Sequence, residues 1–322
     1  MQTFHISDAL RCTLANAPNG PNVACPQESS AGWGVLRPAT LWREALVQRR
    51  DRITLVSWDG MRPRGLISAR VRAGQRVWEV DRLYLADVPS RFGDKPQADP
   101  AETAPLQLLE QLIEAVGARQ AERIFLRLPS NSPANSPANS PLVTVAQRTG
   151  LFPCYEESLL ERPDKGDYKS DAGTLEGLRE RLPEDDYPLF QLFSGATPQQ
   201  VRVALGLTFD QWRDAQETHH RNRCDWVTER NGRLTGWLSL WSCDGEETGE
   251  VIALPGHPEI LPALVRLAIA RRGTTRWWVP GYQELTKSFL LHQGFHETTR
   301  YLMLIKTMTV RALSYGMAPV EA

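Results

Sequence analysis

Cysteine is sparse in this chain of 322 residues: five occur, at 12, 25, 154, 224 and 243, with no C-x-x-C pair. An odd, scattered set favours neither a disulfide framework nor a thiolate zinc site, and implies inert thiols in a reducing compartment. Charge of one sign is lacking too. The formal net charge is -1, so no surplus of Lys and Arg exists to neutralise phosphates, which argues against a dedicated nucleic-acid binder. No apolar run approaches a membrane span, and the first residues, MQTFHISDALRCTLANAP, lack the charged start and apolar stretch of a signal peptide. These absences point to a cytoplasmic protein. No G-x-S-x-G is present, which removes the usual signature of a serine hydrolase.

What is there is a soluble globular composition, 41% hydrophobic and 23% charged, and enough length for two domains. Thr3 to Leu10 reads as a first strand, and Ala15 to Ser30 as Asn/Pro/Gly-rich loop. Leu36 to Arg50 has an amphipathic helical pattern with Leu41, Ala45 and Leu46 on one face. Ile53 to Trp58 and Arg64 to Arg72 form a hairpin about Asp59-Gly60, and Val77 to Leu85 a further strand. A polar loop from Pro89 leads to a helix over Leu106 to Ala118, a strand over Arg123 to Leu128, a tandem repeat NSPANSPANSP and a short helix over Leu142 to Thr149. Proline at every fourth position keeps the repeat extended.

Arg162 to Gly173 is charged, contains glycine and lacks apolar periodicity, so the domain boundary is expected there: 1–163, a linker at 164–173, then 174–322. The second half begins with a strand over Leu175 to Leu182. A helix near Leu189 to Phe193 follows acidic residues, and another is capped by Thr208. Asn231-Gly232 is a strong hairpin signal between Asp225 to Glu229 and Leu234 to Trp241. Gly249 to Leu254 is a strand and Leu261 to Arg271 a helix. Thr275 to Lys306 then reads strand, helix, Gly294-Phe295, strand, with Leu285, Ser288, Phe289 and His292 at helical spacing. Both halves repeat one order of elements.

That order, with VWEVDRLYL at Val77, GEVIALPG at Gly249 and YQELTKSFLLHQGF at Tyr282, resembles the GNAT family of acetyl-CoA-dependent acyltransferases across nearly the whole chain. The resemblance implies an α/β (α+β) fold of two tandem GNAT-like domains, each a mixed, mostly antiparallel sheet flanked by helices. It implies acetyl-CoA or CoA as cofactor, and an amine of a small molecule or a protein as acceptor. It sets cofactor contacts at Leu254, Gly256, His257 and Gln283 in the second half and at Leu85 and Asn139 in the first. A strand-end amide near Leu254 would polarise the acyl carbonyl.

Glu250 and Glu79 fall at corresponding strand positions where family members carry a general base; the alternative is that both are solvated strand residues. Asp81 shares a face with Glu79, and two buried carboxylates raise one another's pKa. The chain departs from the family where Leu290 and Ala146 replace the tyrosine that protonates the leaving thiolate, with Tyr282 and Tyr301 nearby but out of register. The phosphate-binding loops depart as well. Arg91 and Gly93 are misspaced in the first half, and Glu259 stands beside Gly256 and His257 in the second. These departures leave a second reading open, a non-catalytic protein that keeps the fold for binding or assembly. His219, His220 and Cys224 lack a fourth ligand at metal spacing, so a solvated helix end is expected there and no metal site.

Overall fold

The computed structural model describes residues 4–15, 22–27, 36–47, 50–86, 100–130, 141–162, 175–218, 220–243 and 245–308. Residues 6–10, expected as a strand, are helical: α1 spans Ile6–Ala15. Ala9 and Cys12 are its buried stripe, and Asp8 reaches back to accept the His5 N–H at 2.9 Å, a helix-start contact that outweighs the short apolar run. Helix α2 (Pro38–Leu46) buries Leu41 and Ala45, whereas Leu46 points outward. Then come β1 (Arg52–Asp59), β2 (Arg62–Val71), β3 (Val77–Leu85), α3 (Pro100–Gly117), β4 (Arg123–Ser130), α4 (Pro141–Arg148) and β5 (Phe152–Glu161). The Asn-Ser-Pro repeat and the expected linker lie outside the described residues, apart from Pro141 and Arg162.

The second half opens with a short β6 (Leu178–Glu180), followed by α5 (Asp186–Ala196), α6 (Gln199–Leu205) and α7 (Phe209–Asp214). Thr208 caps α7 by accepting the Gln211 N–H at 3.3 Å. This helix stops at Asp214, short of the end of the polar run FDQWRDAQETHH at 209–220. Next are β7 (Arg221–Arg230), β8 (Arg233–Cys243), β9 (Glu246–Ala253), α8 (Ile260–Arg272), β10 (Arg276–Pro280), α9 (Glu284–His292) and β11 (His296–Thr307). Asn231 and Gly232 adopt φ of 51° and 73° at the hairpin turn, the left-handed pair that such a turn requires. In α9 the buried positions are Thr286 and Leu290, and Leu285 is exposed.

The eleven strands among the described residues join one sheet in the order β1-β2-β3-β4-β11-β5-β10-β9-β8-β7-β6. Pairing is antiparallel except at β3–β4 and β9–β10, one parallel pair in each half. The centre of the sheet is an exchange. β11, the last strand of the second half, lies between β4 and β5; β5, the last strand of the first half, lies between β11 and β10. Each half therefore completes its sheet with a strand from the other. One core packs α3 and α4 against β1–β4 and β11, and another packs α8 and α9 against β8–β10. Among the described residues no helix is long and apolar enough to cross a membrane.

Candidate active site

Each parallel strand pair begins in register and then parts. β3 and β4 pair from Val77–Arg123 to Val80–Leu126; β9 and β10 pair only at Thr248–Arg276 and Gly249–Trp277. Beyond those points a gap opens, and the two gaps have different contents.

In the first half the chain fills the gap with residues 22–27, all buried. Val23 N–H donates to Leu83 O at 2.9 Å and Cys25 N–H to Arg127 O at 3.2 Å, so the segment bridges the parted strands. The Asn22 side chain donates to Asp81 O (3.1 Å) and accepts from the Leu83 and Ala24 amides (2.8 and 3.2 Å). Cys25 packs among Leu159, Trp241, Trp278 and Tyr301, and burial pushes its thiol up to about 12. The region read from sequence as loop is, over these residues, a plug.

In the second half the gap is not plugged by a described segment. A cavity of about 300 Å³ is lined there by Glu250 and Ile252 of β9 and by Pro280 and Tyr282 at the end of β10. Leu189, Leu192, Phe193 and Trp212, from α5 and α7, form an apolar wall. Tyr155 and Glu157 of β5 and Glu217 and His220 of the α7–β7 connection close it. Ladder bonds in an antiparallel pair alternate between neighbours. Leu254 N–H donates to Thr235 O at 2.8 Å, so the amides of Val251 and Ala253 point away from β8, toward the gap. The Leu254 amide is thus bonded to β8, and the strand-end amides near it that point away from β8 are those of Val251 and Ala253.

The two corresponding glutamates have opposite surroundings. Glu79 is held between Arg70 (3.1 Å) and Arg72 (3.2 Å), with both carboxylate oxygens engaged by guanidinium groups. Asp81, on the same strand, is held ionised below its ordinary range: burial opposes ionisation, and Arg52, at 2.7 Å, and Arg82 outweigh it. Glu250 has no hydrogen bond or ion pair among the described residues. Burial, with Glu157 adding like charge, pushes its carboxyl up to about 8.

Glu157 is itself raised by burial, although Arg127 holds it at 2.6 Å. Glu217 lies well below the carboxylate range, because Arg127 and Arg72, both 2.9 Å from Oε1, outweigh the cost of its burial. His220 is not a solvated helix end. Its side chain is 3% exposed, its ring stacks on Trp241 at 4.2 Å, and burial depresses its pKa to about 4.

Tyr282, which the motif leaves out of register, lines the cavity. Leu290, at the position where the family carries tyrosine, is core, while the Tyr282 hydroxyl is hydrogen-bonded to Thr197 and held protonated by burial. Tyr301 packs on Trp278 at 4.9 Å in the core.

The remaining sequence candidates divide. Leu85 is core, and Asn139, Arg91 and Gly93 lie outside the described residues. Gln283 precedes α9 without capping it. Gly256 (φ +98°) and His257 shape the turn into α8. The amides there are largely used: His257 N–H donates to Leu254 O and Ile260 N–H to His257 O. Pro258 has no N–H, and Glu259 accepts its own amide while pairing with Arg230 at 2.5 Å. A diphosphate needs a row of open amides at a helix start, and this turn leaves only those of Gly256 and Leu261. The start of α8 does not present the row of open amides that a diphosphate takes. No group of three or more His, Cys, Asp or Glu suited to a metal occurs among the described residues.

No family model matches the sequence, and no curated protein matches it. Solved structures do match. A GCN5-related N-acetyltransferase from Sphaerobacter thermophilus aligns with TM-score 0.50 and 16% identity over 84% of this chain and 85% of that one. A tandem GNAT protein from the clavulanic acid biosynthesis pathway aligns at 0.49 and 13% over 95% and 97%. Saccharomyces cerevisiae N-myristoyltransferase aligns at 0.43 and 12% over 80% and 66%. The parted parallel strands, the exchanged final strands and the Sphaerobacter alignment together give this chain the fold of the GCN5-related N-acetyltransferases.

Proposed function

We propose that the protein is an acyl-CoA-dependent N-acyltransferase whose working site lies in the second half, residues 174–322, at the gap between β9 and β10. One observation carries this reading: Glu250 lines a cavity beside the parted strands, with no hydrogen bond or ion pair among the described residues and a carboxyl raised to about 8. An acyl thioester would supply an acyl group on a good leaving thiolate. Glu250 Oε would take the proton that the acceptor nitrogen sheds, and a base with a pKa near the working pH is best suited to this step. The Val251 and Ala253 amides would donate to the acyl oxygen, and Tyr282 Oη would return a proton to the departing sulfur.

The test is turnover of acetyl-CoA against a panel of amines by wild type and Glu250→Gln. A loss of about 10²- to 10⁴-fold in kcat/KM is expected; equal turnover removes Glu250 as the base. The crowded amides at α8 favour a second reading, a binding module of the same fold without chemistry. It predicts no thermal shift with CoA or acetyl-CoA, whereas saturation at a hundred times Kd adds about 2.7 kcal/mol.

A further inference from the structure

The segment that fills the first gap carries a carboxamide at each end, and the two are used differently. Asn22 spends its side chain on the strands, with one donated and two accepted hydrogen bonds. Gln27, at the other end, lines the second half's cavity. It is 6% exposed, and among the described residues nothing hydrogen-bonds its side chain. Glu217 Oε2 and both His220 ring nitrogens are unpaired but sealed; the Gln27 carboxamide atoms are not sealed in this way, so a ligand in the cavity can reach them. The other carboxamide of the lining, that of Gln216, is spent on Trp212 O at 3.0 Å.

A carboxamide brings two donors and an acceptor oxygen, and buried polar groups of folded proteins are as a rule paired. One left open where a ligand fits is suited to reading a hydrogen-bonding group on that ligand, because an analogue without the group strands it. The carboxamide is also uncharged, and each arginine of the lining is already tied. Arg72 is bonded to Glu79 and Glu217. Arg181 is bonded to Asp225 and Asp186, Arg223 to Asp225, and Arg213 pairs with Asp210. The lining therefore suits an uncharged polar group better than a carboxylate, which would be desolvated there without a cation of its own.

We infer that Gln27 is a specificity-determining residue of the second half's site, lent by the first half, and that it reads an uncharged carboxamide or hydroxyl group on the acceptor, apart from the nitrogen that reacts. The segment that closes one gap thus carries a recognition group into the cavity beside the other. The inference rests on the acyltransferase reading for the acceptor, but the recognition itself is measured without an acyl donor.

Calorimetric titration of the full chain, without CoA, would compare ω-amino amides of graded chain length with the alkylamines and ω-amino acids of the same lengths. At the length that fits, the amide is expected to bind at least about tenfold more tightly than the alkylamine, and the amino acid more weakly than the amide. Gln27→Met, similar in length and without the carboxamide, should remove the amide's advantage and leave the alkylamine's affinity in place. Its Tm should stay at or above the wild-type value, since no bond within the fold is lost. No amide preference at any length, preference for the amino acid, no binding of any amide at millimolar concentration, a variant that weakens amide and alkylamine alike, or a lowered Tm would overturn the role of Gln27. Amides that bind with this preference and are never acylated by acetyl-CoA would instead sink the acyltransferase reading and leave Gln27 as a recognition residue.

Discussion

The gap between β3 and β4 and the gap between β9 and β10 start from the same construction, a parallel pair that parts after a few residues, and end with different occupants. In the first, Asn22 to Gln27 satisfy the strand edges from within the chain. In the second, the Val251 and Ala253 amides point away from β8 and Glu250 lines a cavity. The glutamates follow the same division, Glu79 between two arginines and Glu250 without a partner. A site that must accept a ligand keeps unsatisfied groups, and a site that has become scaffold satisfies them internally.

The filled half still works for the open one. Its β2–β3 turn docks the end of α7: Ala73 N–H donates to Gln216 O, Gly74 N–H to Asp214 O and Arg72 Nη1 to Ala215 O. Arg72 and Arg127 hold Glu217, and so position the connection that carries His220. The first half acts as a buttress for the second half's cavity.

The comparison breaks most completely if the halves are separated. Residues 174–322 expressed alone lack β5 beside β10 and should remain unfolded or aggregate, read by circular dichroism, because an exposed central strand edge templates association. A folded, soluble isolated half would show the strand exchange to be dispensable. Next in size, Arg127→Met leaves Glu157 buried without its cation and Glu217 with one partner fewer. Denaturant unfolding should show a loss of about 3–5 kcal/mol. Smaller again, Asn22→Ala removes three hydrogen bonds of the plug and should cost about 1–3 kcal/mol without altering acyl transfer; a lost or doubled transfer rate would mean that the first gap takes part.

The pH dependence of Glu250 sharpens the comparison in a separate way. Its folded pKa, about 8, lies above the unfolded value, so the folded state holds the extra proton between the two. The associated stabilisation is complete below the unfolded pKa near 4.3 and is lost as pH rises through about 8. Turnover, which needs the carboxylate, should rise over the upper part of that window. Stability–pH curves of wild type and Glu250→Gln should therefore diverge between about pH 4 and 8, with the wild type alone losing stability; parallel curves would mean an ordinary, solvated carboxylate.

Much of the fold was legible because it is written in repeating patterns: strand alternation at Val77 to Leu85, the Asn231-Gly232 turn, and strand–helix–Gly-Phe–strand at the end. The strand exchange was not legible, since β5 and β11 read alike whichever half they pair with. Val23, Ala24 and Cys25 were a small apolar island inside a polar loop, and that was the available signal for the plug. Glu250 could be found by strand position. Tyr282, Glu217 and His220 could not, because they converge from the end of β10 and a connection held in place by arginines over a hundred residues away or nearly so in sequence.

Calorimetric titration with acetyl-CoA measures the central claim directly. One filled gap and one open gap predict a stoichiometry of one acetyl-CoA per chain, unchanged in Glu250→Gln. Two per chain would contradict the plug, and none would contradict the open gap as a donor site.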